Sequence, residues 1–343
     1  MELKETRLIS LLYLSYRKGV NMGQEVSTEV LEKPISSKNV KKKSKQKYFW
    51  QYKYLYLMLL PGLIYFAVFR YAPMYGIQIA FRNYVPFLGM HGSEWVGLEQ
   101  FRQFFTSPDF GRIMFNTLFI SFLSVAVSFP IPVLLAILLN ELRHAVYKKL
   151  IQTFIYIPHF LSWTIVVGLT HVLFSINGGA VTEILASIFG ERVNFLANPN
   201  WFRPMIILQQ VWKGAGWGTI IFLAALSRVS PEQYEAAIVD GAGRFRRIWH
   251  VTLPAIRPTI VIMLILTMGS VLSTGFDQLF LMTNSLNRSV ADVFDTYVYQ
   301  MGITQAAYSY SAAVGLFKSV VGIILIVSTD FIAKKVDPDS GLF

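Results

Sequence analysis

The chain has 343 residues, of which 54% are hydrophobic and 15% charged, and its mean hydropathy is +0.46. Soluble domains carry about a quarter charged residues, so this composition excludes a soluble enzyme and points to an integral membrane protein. The formal charge of +11 then concerns which side of the bilayer holds the surplus, and not nucleic acid.

Residues 1–53 hold twelve Lys and Arg, densest at Lys41, Lys42, Lys43, Lys45 and Lys47. They lack the apolar period of a packed helix and read as a basic cytoplasmic tail, a positive-inside anchor or, alternatively, an anionic-lipid site. The apolar patch at 9–16 is too short to span a bilayer and no small-residue cleavage site follows it, so no secretory signal is expected. Met22 could be an alternative start.

Residues 54–343 read as a single transmembrane domain. Uncharged runs at 54–69, 115–139, 150–175, 204–226, 259–282 and 311–332 predict six helices of about bilayer length. With both termini inside, the cytoplasmic segments hold twenty-two Lys and Arg and the external loops seven, all arginine. That asymmetry predicts six spans with both ends cytoplasmic. The runs are apolar at every helical phase, which excludes a barrel of alternating strands and predicts an all-α polytopic bundle. Pro130 and Pro132 predict a kink in the second span, and Asn177-Gly178-Gly179 a stop after the third.

Several chemistries are missing from the sequence. There is no phosphate-cradling glycine loop, no dinucleotide fingerprint and no H-E-x-x-H zinc motif, and zero cysteines exclude disulfides and thiolate metal sites. His159 and His171 would sit about 18 Å apart on one helix, too far for a shared metal. The expectation is therefore no enzyme, no metal and no cofactor bound by this chain; work driven by ATP needs another chain to bind it.

The loop at 227–258, after the fourth span, carries the most local information. Ser230-Pro231-Glu232-Gln233 predicts a capping box opening a helix. Asp240-Gly241 predicts a left-handed stop, and Ala242-Gly243 a close backbone approach. A second helix over 244–251 is expected to end at Leu253-Pro254 and Pro258, where the chain re-enters the bilayer.

In this loop Glu235-Ala236-Ala237, Asp240-Gly241-Ala242, Ile248, Leu253-Pro254 and Pro258 resemble the E-A-A…D-G-A…I…L-P…P segment of permease subunits of binding-protein-dependent ABC importers, the maltose-type sugar permeases. Tyr75-Gly76-Ile77 with Ala80-Phe81, the run from Trp95 to Phe101, Asn116-Thr117-Leu118, and Trp212-Lys213 with Gly216-Trp217 are similar to the oligosaccharide branch of that family. The resemblance runs from about residue 54 to the C-terminus and implies the type I importer permease fold.

It further implies that the loop forms coupling helices seated on an ATP-binding subunit, with Glu235, Ala236, Ala237, Asp240, Gly241, Ala242, Ile248, Leu253 and Pro254 at the contact. Small residues there let two backbones approach, and an acidic group can pair with a basic residue of the partner. The implied partners are a second homologous permease, two copies of an ABC ATP-binding subunit carrying ATP and Mg, an extracytoplasmic solute-binding protein and the lipid of the cytoplasmic membrane.

Ionisable groups inside spans usually face a bundle interior. Lys213, Lys318 and Asp277 fall at similar depth in the outer half, and Gln209, Gln210, Trp212 and Gln278 lie nearby. Amide and ammonium groups suit sugar hydroxyls, and an aromatic face suits the C–H side of a ring. Two lysines against one aspartate suggest an anionic sugar. The bland reading pairs a lysine with Asp277 or lets it reach the headgroups, and makes Trp212 a packing or interfacial residue. Rival functions are an ion- or proton-coupled secondary transporter using Asp277, Lys318 and the histidines, a membrane enzyme, or an ABC permease for a non-sugar solute.

Overall fold

The computed structural model describes residue 50 and residues 52–336. The basic tail, with its lysine run and Met22, lies outside the described residues except for residues 50, 52 and 53. The described residues divide into two units, at Val68 and Phe69. In the first, α1 (Lys53–Phe66) has no buried residue. Its Leu, Tyr and Met side chains are exposed all round, the pattern of a helix made for an apolar surround.

The second unit begins in a helical stretch, Ala72–Phe81, and a two-residue β-bridge follows: β1 (Arg82–Asn83) pairs antiparallel with β2 (Glu94–Trp95), Arg82 opposite Trp95. This bridge joins two of the segments that carried the family resemblance. Trp95 stacks on Phe81 at 5.7 Å between centroids, and Val96 and Gly97 donate their N–H groups to the Phe81 carbonyl at 2.9 and 3.1 Å. Gly97 takes φ +62° there, a conformation that favours glycine. A short amphipathic helix, α2 (Glu99–Thr106), follows.

The second predicted span is one helical run, Asp109–Glu141, of 33 residues. It comprises α3 (Asp109–Leu123), a π turn at Ser124–Ser128 and α4 (Pro130–Glu141). The expected proline kink takes this form because Pro130 and Pro132 cannot donate to the preceding turn, and the wider turn absorbs the missing bonds.

The third span differs from expectation. It is two helices, α5 (Ala145–Tyr156), prolonged by a 3-10 turn to Phe160, and α6 (Trp163–Phe174), bent by 102° at the break. Pro158 removes a backbone donor, and Ser162 starts a fresh helix by accepting the Ile165 N–H at 3.3 Å. The turn at 177–179 comes where expected, with Gly178 at φ +79°, and leads into α7 (Ala180–Phe189).

The fourth span is α8 (Pro199–Leu226), 28 residues or about 42 Å. It packs along α4, where Thr219 Oγ1 donates to the Pro132 carbonyl at 3.4 Å. The loop helix α9 (Pro231–Val239) comes next.

The fifth span needs two corrections. Arg244–Gly269 is one continuous helix of 26 residues, so Pro254 and Pro258 do not end the second loop helix. A π turn at Ile248–Thr252 accommodates Pro254 at the first turn of α10 (Leu253–Gly269). The helix then stops short of 282: residues 270–275 are irregular, Gly275 takes φ +88°, and α11 (Phe276–Met282) starts anew. The rest is α12 (Phe294–Tyr299) and α13 (Tyr308–Val336).

Among the described residues four helices are long and apolar enough to cross a membrane, five if the bent pair is one span. The remaining expected span, the fourth (α8), is long enough but falls outside that set. Its Gln209, Gln210 and Lys213 serve neighbouring helices inside the bundle.

The core lies where α3, α6, α8 and α11 meet, around Ile120, Val167, Ile206 and Leu279. A second, aromatic cluster, with Phe104, Phe294 and Phe317, sits between α2, α12 and α13.

Candidate translocation site

The bundle interior is polar at one level. Gln278, fully buried at the start of α11, donates Nε2 to the Ile206 carbonyl at 2.9 Å and to Gln209 Oε1 at 2.8 Å. Its Oε1 accepts from Gln210 Nε2 at 3.1 Å. Gln209 Nε2 in turn donates to Thr170 Oγ1 at 2.7 Å on α6. Three glutamines thus tie α6, α8 and α11 together. The break at 270–275 is what lets Gln278 meet α8, because a straight α10 would carry the residue on along its own axis.

Beside this network is a cavity of about 190 Å³ between α3, α8, the start of α6 and the 270–275 break. Gln210, Gln278, Ser121, Thr274 and the indole of Trp163 line it. Ser121 Oγ donates to the Val271 carbonyl at 2.6 Å. Gln210 Oε1 and Thr274 Oγ1 are buried without a hydrogen-bond partner among the described residues. Buried polar atoms cost free energy unless paired, so these two oxygens present unmet hydrogen-bonding capacity for a polar guest. The mixture of carboxamide, hydroxyl and indole fits a sugar hydroxyl and its ring face.

The six pathway residues read from the sequence separate in space. Gln278 lines the cavity, and Gln209 braces its wall from behind. Lys213 Nζ donates to the carbonyls of His159 and Leu161 at 2.7 and 2.5 Å, at the bend between α5 and α6, and lies 5.5 Å from the Trp163 ring. Lys318 pairs with Asp295, not with Asp277, the partner weighed from the sequence. Asp295 sits in the 283–307 connection, outside every apolar run. Asp277 is exposed and unpaired among the described residues. Trp212 is 46% exposed against a mainly apolar recess with Leu169 and Leu208, which Gln209 also lines, and does not line the cavity at Gln210 and Gln278. Of the two histidines, His159 stacks on Trp217 at 4.8 Å and His171 is exposed beyond the bend.

Sequence reasoning missed a second polar cluster near the Pro199 end of α8. Asn116 Nδ2 donates to the Ser289 and Asp292 carbonyls at 3.0 Å each, and its Oδ1 accepts from Arg203 at 2.8 Å. Thr117 Oγ1 accepts the Phe294 N–H at 3.1 Å. The Asn116-Thr117 pair, noted only as part of a motif, therefore clamps the 288–294 segment over the bundle. Asp292 is buried between Arg112 at 3.5 Å and Arg288 at 3.3 Å. Burial pushes its carboxyl pKa up, and the two guanidiniums oppose that shift.

At the far end of α8 the loop is built as its sequence predicts, with one difference. Ser230 Oγ accepts from the Glu232 N–H at 3.3 Å, but no reciprocal bond from the Gln233 side chain closes the box among the described residues. At the other end Ala242 N–H bonds the Ala237 carbonyl at 2.8 Å and Gly241 N–H that of Ile238 at 3.0 Å. With Gly241 at φ +77°, this is a Schellman motif. Tyr234 Oη and Thr252 Oγ1, 3.2 Å apart, tether α9 to the through-going helix. Ile238, Val239, Phe245 and Trp249 are left largely exposed.

A bent-helix bundle with a polar interior and a capped, apolar-tipped loop fits a membrane transport subunit. Residues 128–339 match the model of the binding-protein-dependent transport system inner membrane component family. The chain belongs to that family and is a permease subunit of a binding-protein-dependent ABC importer. It is 62% identical over 291 residues to Protein LplB of Bacillus subtilis (strain 168), covering 85% of this chain and 91% of that one. It is 55% identical over 285 residues to the polygalacturonan/rhamnogalacturonan transport system permease protein YteP of the same organism, covering 83% and 89%. Its fold superposes with a TM-score of 0.81, at 38% identity, on a chain of a bacterial ABC transporter involved in import of the acidic polysaccharide alginate, covering 86% of this chain and 100% of that one.

Proposed function

We propose that this chain forms half of the membrane pathway of an ATP-driven importer carrying an acidic oligosaccharide inward across the cytoplasmic membrane by alternating access. Both termini lie in the cytoplasm. A binding protein delivers the saccharide to the side of the β-bridge and the Asn116 clamp. Two ATP-binding subunits, which hold ATP and Mg, close on the other side, and a second, homologous permease completes the path. This chain contributes no catalytic step.

The observation that carries this reading is the loop at 230–252. Its first helix is capped at both ends, tethered through Tyr234 to a helix that runs unbroken to Gly269, and tipped with exposed apolar side chains. Such an element transmits a push instead of absorbing it. Glu235, Ala236, Ala237, Asp240, Gly241 and Ala242 meet the ATP-binding subunit, with Ile248, Leu253 and Pro254 at the joint.

The saccharide passes the cavity between α3 and α8. Gln210, Thr274 and Gln278 take hydroxyls there and Trp163 takes a ring face, while Gln209, Lys213 and Lys318 hold the walls and Asp277 and Trp212 flank the route. The acidic character of the substrate is supported by the relatives for polygalacturonan and alginate. The two lysines support it less, since both ammonium groups are engaged by protein acceptors.

The test is a tagged purification in mild detergent from cells expressing the neighbouring genes, with co-eluting chains identified by mass spectrometry. Wild type is expected to bring an ATP-binding subunit and a second permease, and Glu235→Lys to lose the ATP-binding subunit. Elution of the wild type alone, with the partners expressed, would overturn the reading.

A further inference from the structure

A second cleft, of about 670 Å³, opens at the β-bridge end between residues 83–108 and residues 297–310. Its size falls within the ~300–1,000 Å³ of small-molecule sites. Carboxamides, phenols and hydroxyls dominate the lining, and no Asp, Glu, Lys, Arg or His contributes to it. Tyr84 and Tyr308 stand edge to face at 6.2 Å and form one wall, fixed by the Tyr84 N–H donating to Ser309 Oγ at 2.8 Å. Tyr297 and Tyr310 share a hydroxyl contact of 3.0 Å at the base.

Gln103 and Gln305 both line the cleft, and neither side-chain amide is bonded to another described residue. Gln305 is carried by a strained turn. Ala306 has φ +55°, the one non-glycine residue with positive φ among the described residues. The turn is held by Gln305 N–H to Gln300 O at 3.0 Å and Ala307 N–H to Met301 O at 2.9 Å. Strain of this kind persists only where the surroundings over-determine it, and it concentrates at ligand clamps.

We propose that this cleft binds an uncharged pyranose ring of the incoming oligosaccharide, ahead of the cavity at Gln210 and Thr274; the inference rests on the carbohydrate-import reading above. A carboxamide donates and accepts at once, which matches a hydroxyl, and a tyrosine ring offers its face to C–H groups. A uronate gains less there, because the lining offers its carboxylate no cationic partner. The cleft thus selects the neutral units of a mixed acidic chain and sets its register before entry.

The probe is a rhamnogalacturonan tetrasaccharide bearing a diazirine on a neutral rhamnose, photolysed with the intact importer in nanodiscs, with labelled peptides mapped by mass spectrometry. Label is expected on peptides spanning 100–108 and 305–310, competed by unlabelled tetrasaccharide. A diazirine-bearing homogalacturonan tetrasaccharide is expected to label them at least tenfold less. Gln103→Ala/Gln305→Ala should cut rhamnose labelling about tenfold and raise the half-saturating concentration for uptake by a similar factor. Tyr308→Phe, which keeps the ring, should have a smaller effect in the same direction. Equal labelling by both probes, or uptake by the double variant with wild-type half-saturation, would overturn the cleft while leaving the import reading intact. Failure of the wild type to import any saccharide would instead remove the reading on which the cleft rests.

Discussion

The side-chain amide of Gln278 donates to Oε1 of Gln209 at 2.8 Å, joining the first turn of α11 to the middle of α8 in a fully buried setting. Both residues make further bonds, to Ile206, Gln210 and Thr170, so losing the Gln209 amide strands partners on α6 and α11, and losing that of Gln278 strands three groups on α8. Gln278→Leu and Gln209→Leu should each destabilise the protein by about 1–2 kcal/mol, the upper range for interhelical hydrogen bonds in membranes. The double variant should cost less than the sum by about 0.5 kcal/mol or more. Thermal unfolding in detergent of the four-member cycle checks this; strict additivity would show that the two amides do not act as one network.

Lys213 holds the third-span bend. Its amine bridges two carbonyls, of His159 in the 3-10 turn and of Leu161 in the break itself. Lys213→Met should lower the maximal uptake rate severalfold for acidic and neutral saccharides alike, since the wall carrying Trp163 loses its support. A rise in half-saturating concentration confined to uronates would instead make the lysine a carboxylate ligand.

Gly216 makes the tightest approach of the described glycines. A Cβ there would stand 1.9 Å from the Ile155 carbonyl oxygen, whereas one at Gly214 would meet nothing within 4 Å. Gly216→Ala should therefore destabilise by about 1–3 kcal/mol, as overpacking does. Gly214→Ala should be neutral or slightly stabilising, alanine being the better helix former. Thermal midpoints of the two variants separate packing from propensity.

These cases show which features the sequence makes legible. The 230–242 loop could be read because its determinants are local: Ser230 and Pro231 open it, and Asp240-Gly241 closes it within a few residues. The membrane class and helical bundle were equally legible, since composition and uncharged runs report them directly. The 102° bend was not, because Pro158 and Ser162 permit a break but Lys213, from another helix, holds it. For the same reason the sequence offers Lys318 only Asp277, the acid visible in a span, as an alternative to the pathway or the headgroups, when its partner is Asp295. The polar cavity and the Asn116 clamp arise from groups scattered over several helices: Gln210 and Gln278, polar groups within apolar runs, were the trace of the cavity in the sequence, and the motif around Asn116-Thr117 was that of the clamp.

Gly241 is the pivot of the loop, at φ +77° in the Schellman motif. Gly241→Ala should cost about 1 kcal/mol locally, the penalty of a Cβ in that region, and Gly241→Val more. Since the strain falls on the proposed partner contact, saccharide-stimulated ATP hydrolysis should fall several-fold for Val while the detergent thermal midpoint barely moves. An unchanged hydrolysis rate would separate the loop from the ATP-binding subunit.

The most direct test of the central claim is saccharide uptake by the assembled importer in proteoliposomes, with ATP inside and the binding protein and a labelled rhamnogalacturonan tetrasaccharide outside. Uptake should require both ATP and the binding protein, persist when proton and sodium gradients are collapsed, and vanish with Glu235→Lys. Uptake that proceeds without ATP and stops when an ion gradient is dissipated would contradict the account and make this chain an ion-coupled carrier.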